Sequence, residues 1–189
     1  ISNIRPKTET RGIRGYKRIV SALQATPGVR ASAVLSGQAI LSFAGKDTNI
    51  TLNGMIPEEI AGITTIDSHM LEGSVDSLIA NRNGIIVGAA LMRRLSLDMG
   101  DNITLATSTG QVRTFKIIGK FSIGRNEYDE RQAFADIKRV QAMMNKSNRA
   151  NSIIIKMDRP GDARSFAADL EARIGYKTVS WQEASEDLM

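Results

Sequence analysis

Hydrophobic and polar positions follow two different periods along this chain, most clearly in residues 84–105. Gly84–Gly88 is a short β-branched run between glycines, which predicts a buried strand. Ala89–Leu95 has apolar residues at helical spacing and two arginines on the opposite side, which predicts an amphipathic helix. After a glycine turn, the alternation in residues 102–105 predicts another strand. No residue here carries reactive chemistry, so the stretch is interpreted as a packing unit.

The two ends of the chain carry the same order of elements. Residues 1–4 and 29–35 alternate like strands, and between them residues 13–23 have apolar positions on one helical face. At the other end, the pattern predicts a strand at 152–157, a helix at 166–174, a strand at 177–181 and the start of a further helix at 182–189. Two matched strand–helix–strand units predict an α+β fold with a split ferredoxin-like βαβ pair formed by the two ends of the chain.

The middle of the chain is predicted to be an inserted, β-rich subdomain. Its predicted elements are strands at 39–43 and 49–55, a short helix at 57–60, a long strand at 112–123 that forms a hairpin with 102–105, and a segment at 132–136 that leads into a helix. The predicted division is residues 1–54 and 150–189 for the first subdomain, to which it assigns the strand at 39–43 and nearly all of the strand at 49–55, and residues 55–149 for the inserted one.

Composition excludes several classes of protein. The 189 residues have 25 Lys and Arg against 20 Asp and Glu, a net charge of +5, with 5% aromatic residues and no cysteine. Disulfides and thiolate metal sites are thereby excluded, and few aromatic residues accompany the basic ones, which disfavours nucleic acid as a partner. No apolar run is long enough to span a membrane. The chain begins at Ile1 without a signal-peptide pattern, which suggests a piece of a longer protein.

Catalytic, cofactor and metal motifs are not predicted. His69 is the only histidine and no Gly-x-Ser-x-Gly surrounds a serine, so a hydrolase that uses His69 is a distant alternative. No Walker A sequence is present. An alternative is a calcium site, because four residues with side-chain oxygen atoms are clustered in one loop: Asn126, Glu127, Asp129 and Glu130. The simpler interpretation of this cluster is a solvated loop.

Two exposed features are candidate contact surfaces. The charged loop at residues 124–131 supplies candidate partner-docking residues, chosen for their expected exposure: Arg125, Glu127, Tyr128 and Asp129. The predicted helix near the N-terminus has an outer stripe of arginines that could meet lipid headgroups or acidic partners, with a solvated face as the simpler interpretation: Arg11, Arg14 and Arg18.

Four segments, in this order, resemble the extracytoplasmic domain of LolC/LolE and MacB-type ABC transporter permeases, the FtsX-like and MacB periplasmic core domain family. They read GIIVGAALMRRLSLDMGDNITL, TFKIIGKFSIG, EYDERQAFADIKRVQAMM and VSWQEASEDLM. The resemblance extends from residue 4 to residue 189, and its last segment is more similar to lipoprotein-releasing permeases than to macrolide exporters. It implies a porter part built from both ends of the chain and an inserted, β-rich Sabre-like part.

The resemblance also implies a function. The domain would lie at the periplasmic face of the bacterial inner membrane, between transmembrane helices before Ile1 and after Met189. A separate cytoplasmic subunit would hydrolyse ATP, so the domain itself would be neither an enzyme nor the site of a cofactor or metal. It would couple that hydrolysis mechanically to lipoprotein release or to export of a hydrophobic molecule. Its partners would be the rest of the permease, a sister permease or second copy, and a periplasmic adaptor or lipoprotein.

Two details qualify this mechanism. LolC proteins insert a Hook hairpin, which captures the periplasmic lipoprotein chaperone, between strands equivalent to residues 102–106 and 112–118. Residues 107–111 are too short for a Hook here, which favours a LolE-like or other exporter role. Mechanical coupling needs a hinge, for which residues 53–58 and 146–152 are candidates. The alternative function is a free-standing extracytoplasmic binding or assembly module without a transport role; the sequence does not identify the transported substrate.

Overall fold

The computed structural model describes residues 2–5 and 12–179, which form two compact units. Unit 1 comprises Ile1–Val34 and Arg149–Met189, and unit 2 comprises Leu35–Asn148. The predicted boundary after residue 54 is therefore wrong and lies after Val34, because the strand that contains residues 46–55 pairs with strands of unit 2. The predicted return at residue 150 differs from the observed one by a single position.

The described residues of unit 1 form a four-stranded antiparallel sheet with two α-helices. Its elements are β1 (Ser2–Arg5), α1 (Tyr16–Gln24), the first part of β2 (Val29–Phe43), β9 (Ser152–Met157), a 3₁₀ turn (Pro160–Asp162), α7 (Ala163–Ile174) and β10 (Lys177–Val179). The strand order is β10-β1-β9-β2, and every neighbouring pair is antiparallel. The helix predicted at 182–189 and the last two residues of the strand predicted at 177–181 lie outside the described residues.

Apolar periodicity explains the packing of unit 1. Tyr16, Val20 and Leu23 recur along one side of α1 and are buried, as the amphipathic pattern predicts. On the sheet, alternate residues of neighbouring strands are buried together. For example, Ala31 lies opposite Ile155, and both residues are at most 1% exposed.

Unit 2 contains seven strands, of which β4 has only three residues, and several short helices. In chain order these are the rest of β2, β3 (Lys46–Met55), α2 (Pro57–Ile60), a 3₁₀ helix (Ile66–His69), β4 (Met70–Glu72), α3 (Ser77–Ala80), β5 (Gly84–Gly88), α4 (Ala89–Leu95), β6 (Asn102–Ala106), β7 (Val112–Phe121), α5 (Asn126–Asp129), β8 (Gln132–Asp136) and α6 (Ile137–Met143). The stretch from β5 to β6 and the hairpin of β6 with β7 match the sequence prediction.

The pairings of unit 2 connect six strands into a ring. β2 pairs with β3, β3 with β8, β8 with β5, β5 with β7, β7 with β6, and β6 again with β2. The β3–β8 and β5–β7 pairs are parallel and the others antiparallel. Each of these strands has a neighbour on both edges, which protects the ring from edge-to-edge association.

The core of unit 2 follows from the two-residue period of its strands. Alternate residues are at most 1% exposed: Leu41, Ile50, Leu52, Ile85, Val87, Ile103, Leu105, Phe115, Ile117, Ala133 and Ala135. α6 packs so closely on β3 that a Cβ at Gly54 would lie 2.7 Å from the Val140 Cβ. The absence of a side chain at Gly54 permits this approach.

Three sequence predictions for the strands are corrected. Residues 29–35 and 39–43 are parts of a single strand, β2, whose pairing partner changes from β9 to β3 along its length. Residues 132–136, predicted only as a segment that leads into a helix, form the strand β8, and the helix α6 follows directly at Ile137. The strand predicted at 112–123 ends at Phe121. The hinge candidate at 53–58 lies inside unit 2, whereas 146–152 includes the return crossing at Asn148.

Candidate functional site

The loop predicted to dock a partner contains one buried carboxylate. Asp129 is 2% exposed, and its two oxygens accept hydrogen bonds from the Ser122 hydroxyl (2.7 Å) and the Ile123 amide (3.1 Å). A buried carboxylate is stable only when it is hydrogen-bonded in this way. The exposure for which Asp129 was chosen as a docking candidate is therefore absent, because its side chain is hydrogen-bonded at the end of β7 instead of facing solvent.

The other three docking candidates lie on the surface of the same loop. Arg125 and Glu127 are exposed, and Tyr128 is 38% exposed. The Tyr128 ring packs edge-on against Phe121, with ring centroids 6.3 Å apart, and Phe121 packs similarly on Phe134 at 5.3 Å. Burial, and then the negative charge of Asp129, raise the pKa of Tyr128. Tyr128 thus anchors the loop with one part of its ring and presents the rest to solvent, and the docking role of these three residues stays a prediction.

Gly88 joins this loop to the β5–α4 stretch. A Cβ at Gly88 would lie 1.8 Å from the Asp129 carbonyl oxygen and 2.6 Å from its carbonyl carbon. The backbone at Gly88 has φ −65° and ψ 140°, which any residue can adopt. Glycine is therefore required by space and not by backbone conformation. The sequence motif of residues 84–88 has a packing reason that only the fold reveals.

The acidic residues of the loop are not arranged around a common point. The Asp129 carboxylate is used internally, and the Glu130 carboxylate lies 3.7 Å from the Arg94 guanidinium. Across residues 2–5 and 12–179, no group of three or more acidic or histidine side chains is placed to hold a metal ion. The calcium alternative thus gains no ligand set from the described part of the chain.

His69 takes part in local hydrogen bonding at a 3₁₀ helix. Its Nδ1 lies 2.7 Å from the Thr65 carbonyl oxygen, and the Ser68 hydroxyl donates to that same oxygen at 2.7 Å. The Ser68 Oγ is 3.3 Å from Nδ1. Since the serine hydroxyl donates to a carbonyl, the geometry is that of a helix turn closed by side chains, and the hydrolase alternative draws no support from it.

A second buried carboxylate, missed by sequence reasoning, joins three elements of unit 2. Asp136 is 4% exposed; one oxygen accepts from the Lys138 amide at 2.9 Å and caps α6, and the other accepts from Arg82 at 2.7 Å. Arg82 also donates to Glu58. The Arg82 hydrogen bond is the main reason why the pKa of Glu58 is lowered. An aspartate directly before a helical pattern indicates a helix N-cap, so the sequence does contain a signal for the role of Asp136.

The remaining sequence candidates lie elsewhere on the molecule. Arg14 and Arg18 are exposed at the start of α1, and Arg11 lies outside the described residues. The turn between β6 and β7 is short, and its Thr107 and Thr109 hydroxyls both donate to the Met143 carbonyl oxygen at 2.8 Å. This turn is fixed to the end of α6, consistent with the prediction that it has no room for a protruding hairpin.

The fold is similar to that of two solved extracytoplasmic domains. The periplasmic region of MacB from Actinobacillus actinomycetemcomitans is similar, with a TM-score of 0.68 and 12% identity over 99% of this chain and 91% of that one. The extracellular domain of the ABC-type transporter YknZ from Gram-positive bacteria has a TM-score of 0.65 and 13% identity, covering 94% of this chain and 97% of that one. At these identities the similarity concerns the fold alone.

Sequence comparison gives the family. Residues 3–173 match the MacB-like periplasmic core domain, and the chain belongs to this family. Its relatives include the lipoprotein-releasing system transmembrane protein LolC of Neisseria meningitidis serogroup B (strain ATCC BAA-335 / MC58), 23% identical over 165 residues and 82% of this chain. LolC of Xylella fastidiosa (strain Temecula1 / ATCC 700964) is 23% identical over 175 residues and 87% of this chain.

The chain matches only part of the length of each of these relatives. The chain spans 40% of the length of each LolC protein. Within the described residues, no helix has the length and apolar character needed to cross a bilayer. The family assignment thus applies to the domain, and the activity of the whole protein is a matter for proposal.

Proposed function

We propose that this chain is the periplasmic domain of an ABC transporter permease, and that it couples ATP hydrolysis in a cytoplasmic subunit mechanically to substrate release or export. The observation that carries the proposal is the pairing of the first and last described strands of unit 1. β1 and β10 are antiparallel neighbours, with Asn3 opposite Val179, so the beginning of β1 lies beside the end of β10. A domain held at two adjacent points can respond to relative movement of the helices that hold it.

In this proposal unit 1 is the porter part and unit 2 is the Sabre-like part. The order β10-β1-β9-β2, antiparallel throughout, is the order expected for a split ferredoxin-like βαβ pair and supports the first assignment. The six-strand ring inserted between Val34 and Arg149 supports the second. Neither part is proposed to catalyse a reaction, and ATP hydrolysis is assigned to a separate subunit.

The proposed substrate class is a lipoprotein or another hydrophobic molecule of the inner membrane. The names of the LolC relatives, which share 23% identity with this chain, support lipoprotein release. The short turn between β6 and β7 favours a LolE-like role, in which a sister permease would contact the periplasmic chaperone. Release of a fluorescent lipoprotein from proteoliposomes, measured beside efflux of a macrolide, distinguishes the two substrates.

Distance measurements in the reconstituted permease test the mechanical coupling. The domain has no cysteine, so two can be introduced for spin labels without background labelling from it. One label replaces the exposed Ser165 on α7 of unit 1, and the other replaces Val112, which is 61% exposed on unit 2. We expect the distance between these labels to change between the nucleotide-free and ATP-bound permease.

Matched pairs within one unit serve as controls. Ser21 with Ser165 reports on unit 1, and Asp47 with Val112 reports on unit 2; all four positions are exposed. Both distances should stay constant while the distance between units changes. An unchanged distance between units throughout a cycle that still releases substrate would contradict mechanical coupling through the domain.

A further inference from the structure

The net charge of this chain is confined to one of its two units. By sequence, unit 1 has 13 Lys and Arg against 8 Asp and Glu, a net charge of +5, whereas unit 2 has 12 against 12. A body with such an excess attracts anionic surfaces over a distance set by the ionic strength. The part of the chain that contains both ends is therefore also the part that favours an anionic partner.

Strand register places two of these cations directly opposite one another. Arg30 on β2 pairs with Lys156 on β9, so their side chains leave the same face of the sheet. The opposite face is the core, because the next pair, Ala31 and Ile155, is buried. Like charges directly opposite each other destabilise a sheet. Asp158 offsets this only weakly, since its carboxylate is 3.7 Å from Arg30 and both side chains are more than half exposed.

This pair lies at the end of the sheet where β1 begins and β10 ends. Ser2, the first residue of β1, is opposite Ile155, and Val179, the last residue of β10, is opposite Asn3. The segment that follows β9 has two exposed arginines, Arg159 and Arg164, at the same end, together with two exposed aspartates, Asp158 and Asp162. Arg30 and Lys156 thus lie at the end of unit 1 where β1 begins and β10 ends.

From this arrangement, and resting on the proposed function, we infer that this end of unit 1 contacts the anionic phospholipid headgroups of the membrane. If transmembrane helices continue from both chain ends, this end is the part of unit 1 nearest the bilayer. Arg30 and Lys156 would then meet lipid phosphates, which relieve the repulsion between the two side chains. The contact would hold unit 1 at the membrane surface. Unit 2 has no net charge and is not part of the proposed contact.

Vesicle binding by the 189-residue chain tests the inference. We expect it to sediment with vesicles rich in phosphatidylglycerol and much less with pure phosphatidylcholine, and to be released by salt. Arg30→Gln combined with Lys156→Gln should lower the partition coefficient about thirtyfold, from the usual contribution of each basic residue near an anionic surface. Should that variant fold poorly by circular dichroism, Lys156→Gln with Arg159→Gln tests the same end of the unit.

The matched control removes two charges from the opposite end of unit 1. Arg14 and Arg18 are exposed at the beginning of α1, where the Arg14 amide donates to the hydroxyl of Tyr176, the residue before β10. Arg14→Gln with Arg18→Gln makes the same change in net charge, and it should lower binding by less than threefold. Equal losses in the two double variants, or equal binding to both vesicle types, would overturn the inference. A permease that still couples ATP hydrolysis to substrate release in those cases would leave the proposed function intact.

Discussion

Replacing Gly88 with alanine tests whether the loop of candidate docking residues is fixed by the β5–α4 stretch. The added Cβ would lie 1.8 Å from the Asp129 carbonyl oxygen, whereas ordinary contacts begin at 3.4 Å, so the two must separate by about 1.6 Å. The obstructing atoms belong to the backbone and cannot turn aside as a flexible side chain could. Either the loop moves away or the end of β5 is displaced.

A displacement of this size lowers the free energy of unfolding by more than the steric contact at Gly88 alone. The Asp129 carboxylate is held at 2.7 Å by Ser122 and at 3.1 Å by Ile123, and both hydrogen bonds would be stretched beyond their normal range. Overpacking costs about 1–3 kcal/mol, and each hydrogen bond to a charged group contributes about 1.5–3 kcal/mol. Since partial relaxation is expected, we expect a loss of about 3 kcal/mol in the free energy of unfolding.

Calorimetry and hydrogen exchange measure this loss. In a unit of this size, about 3 kcal/mol corresponds to a decrease in Tm of roughly 10 °C, and the Ile123 amide should exchange faster. Gly161→Ala is the matched control, because no atom lies within 4 Å of its added Cβ and its φ is outside the left-handed region. It should change stability by less than about 0.5 kcal/mol. Equal Tm values for Gly88→Ala and Gly161→Ala would refute the packing argument.

Two further predictions concern the ion cluster of unit 2. Asp136→Ala removes both the cap of α6 and a partner of Arg82, and it should cost about 3 kcal/mol in urea unfolding, whereas Asp136→Asn, which keeps a capping oxygen, should cost less. The pKa of Glu58 is lowered from 4.5 by Arg82, so its stabilising contribution is present above pH 4.5 and is lost as pH falls through the lower, folded-state value. Urea midpoints below pH 4.5 should therefore fall less steeply in Glu58→Gln than in the wild type; parallel profiles would contradict this.

The sequence predicts correctly those elements whose signals lie within a short segment. The strand, helix and strand predicted in residues 84–105 are confirmed because the buried run, the helical spacing and the glycine turn are all local. The hairpin that follows was predicted for the same reason, since its turn is short. In unit 1, matched periodicity at the two ends predicted the strands and helices, although the strand order had to come from the structure.

Errors arose where pairing partners are distant in sequence. β8 is buried through Ala133 and Ala135, whose small side chains give a weak hydrophobic signal, and it is fixed by parallel pairing with β3. β2 was divided in two because Gly37 interrupts its pattern, yet a Cβ there would lie 2.6 Å from the Met144 side chain, so the glycine makes room for the end of α6. The charged run around Asp129 predicts that its side chain is exposed, whereas the fold brings the Ser122 hydroxyl and the Ile123 amide to it as hydrogen-bond donors.

The two crossings between the units differ in backbone character, which bears on where movement can occur. β2 passes through the first as one strand, fixed to β9 up to Val34 and to β3 from Leu35. The second follows α6 and includes Asn145 and Asn148, both in the left-handed region with φ of 53° and 55°. Asparagine tolerates that region better than most residues, so the sequence of this connection favours an irregular backbone. If the proposed transport function reorients the units, that movement would bend β2 at residues 34–35 and change dihedral angles at residues 145–148.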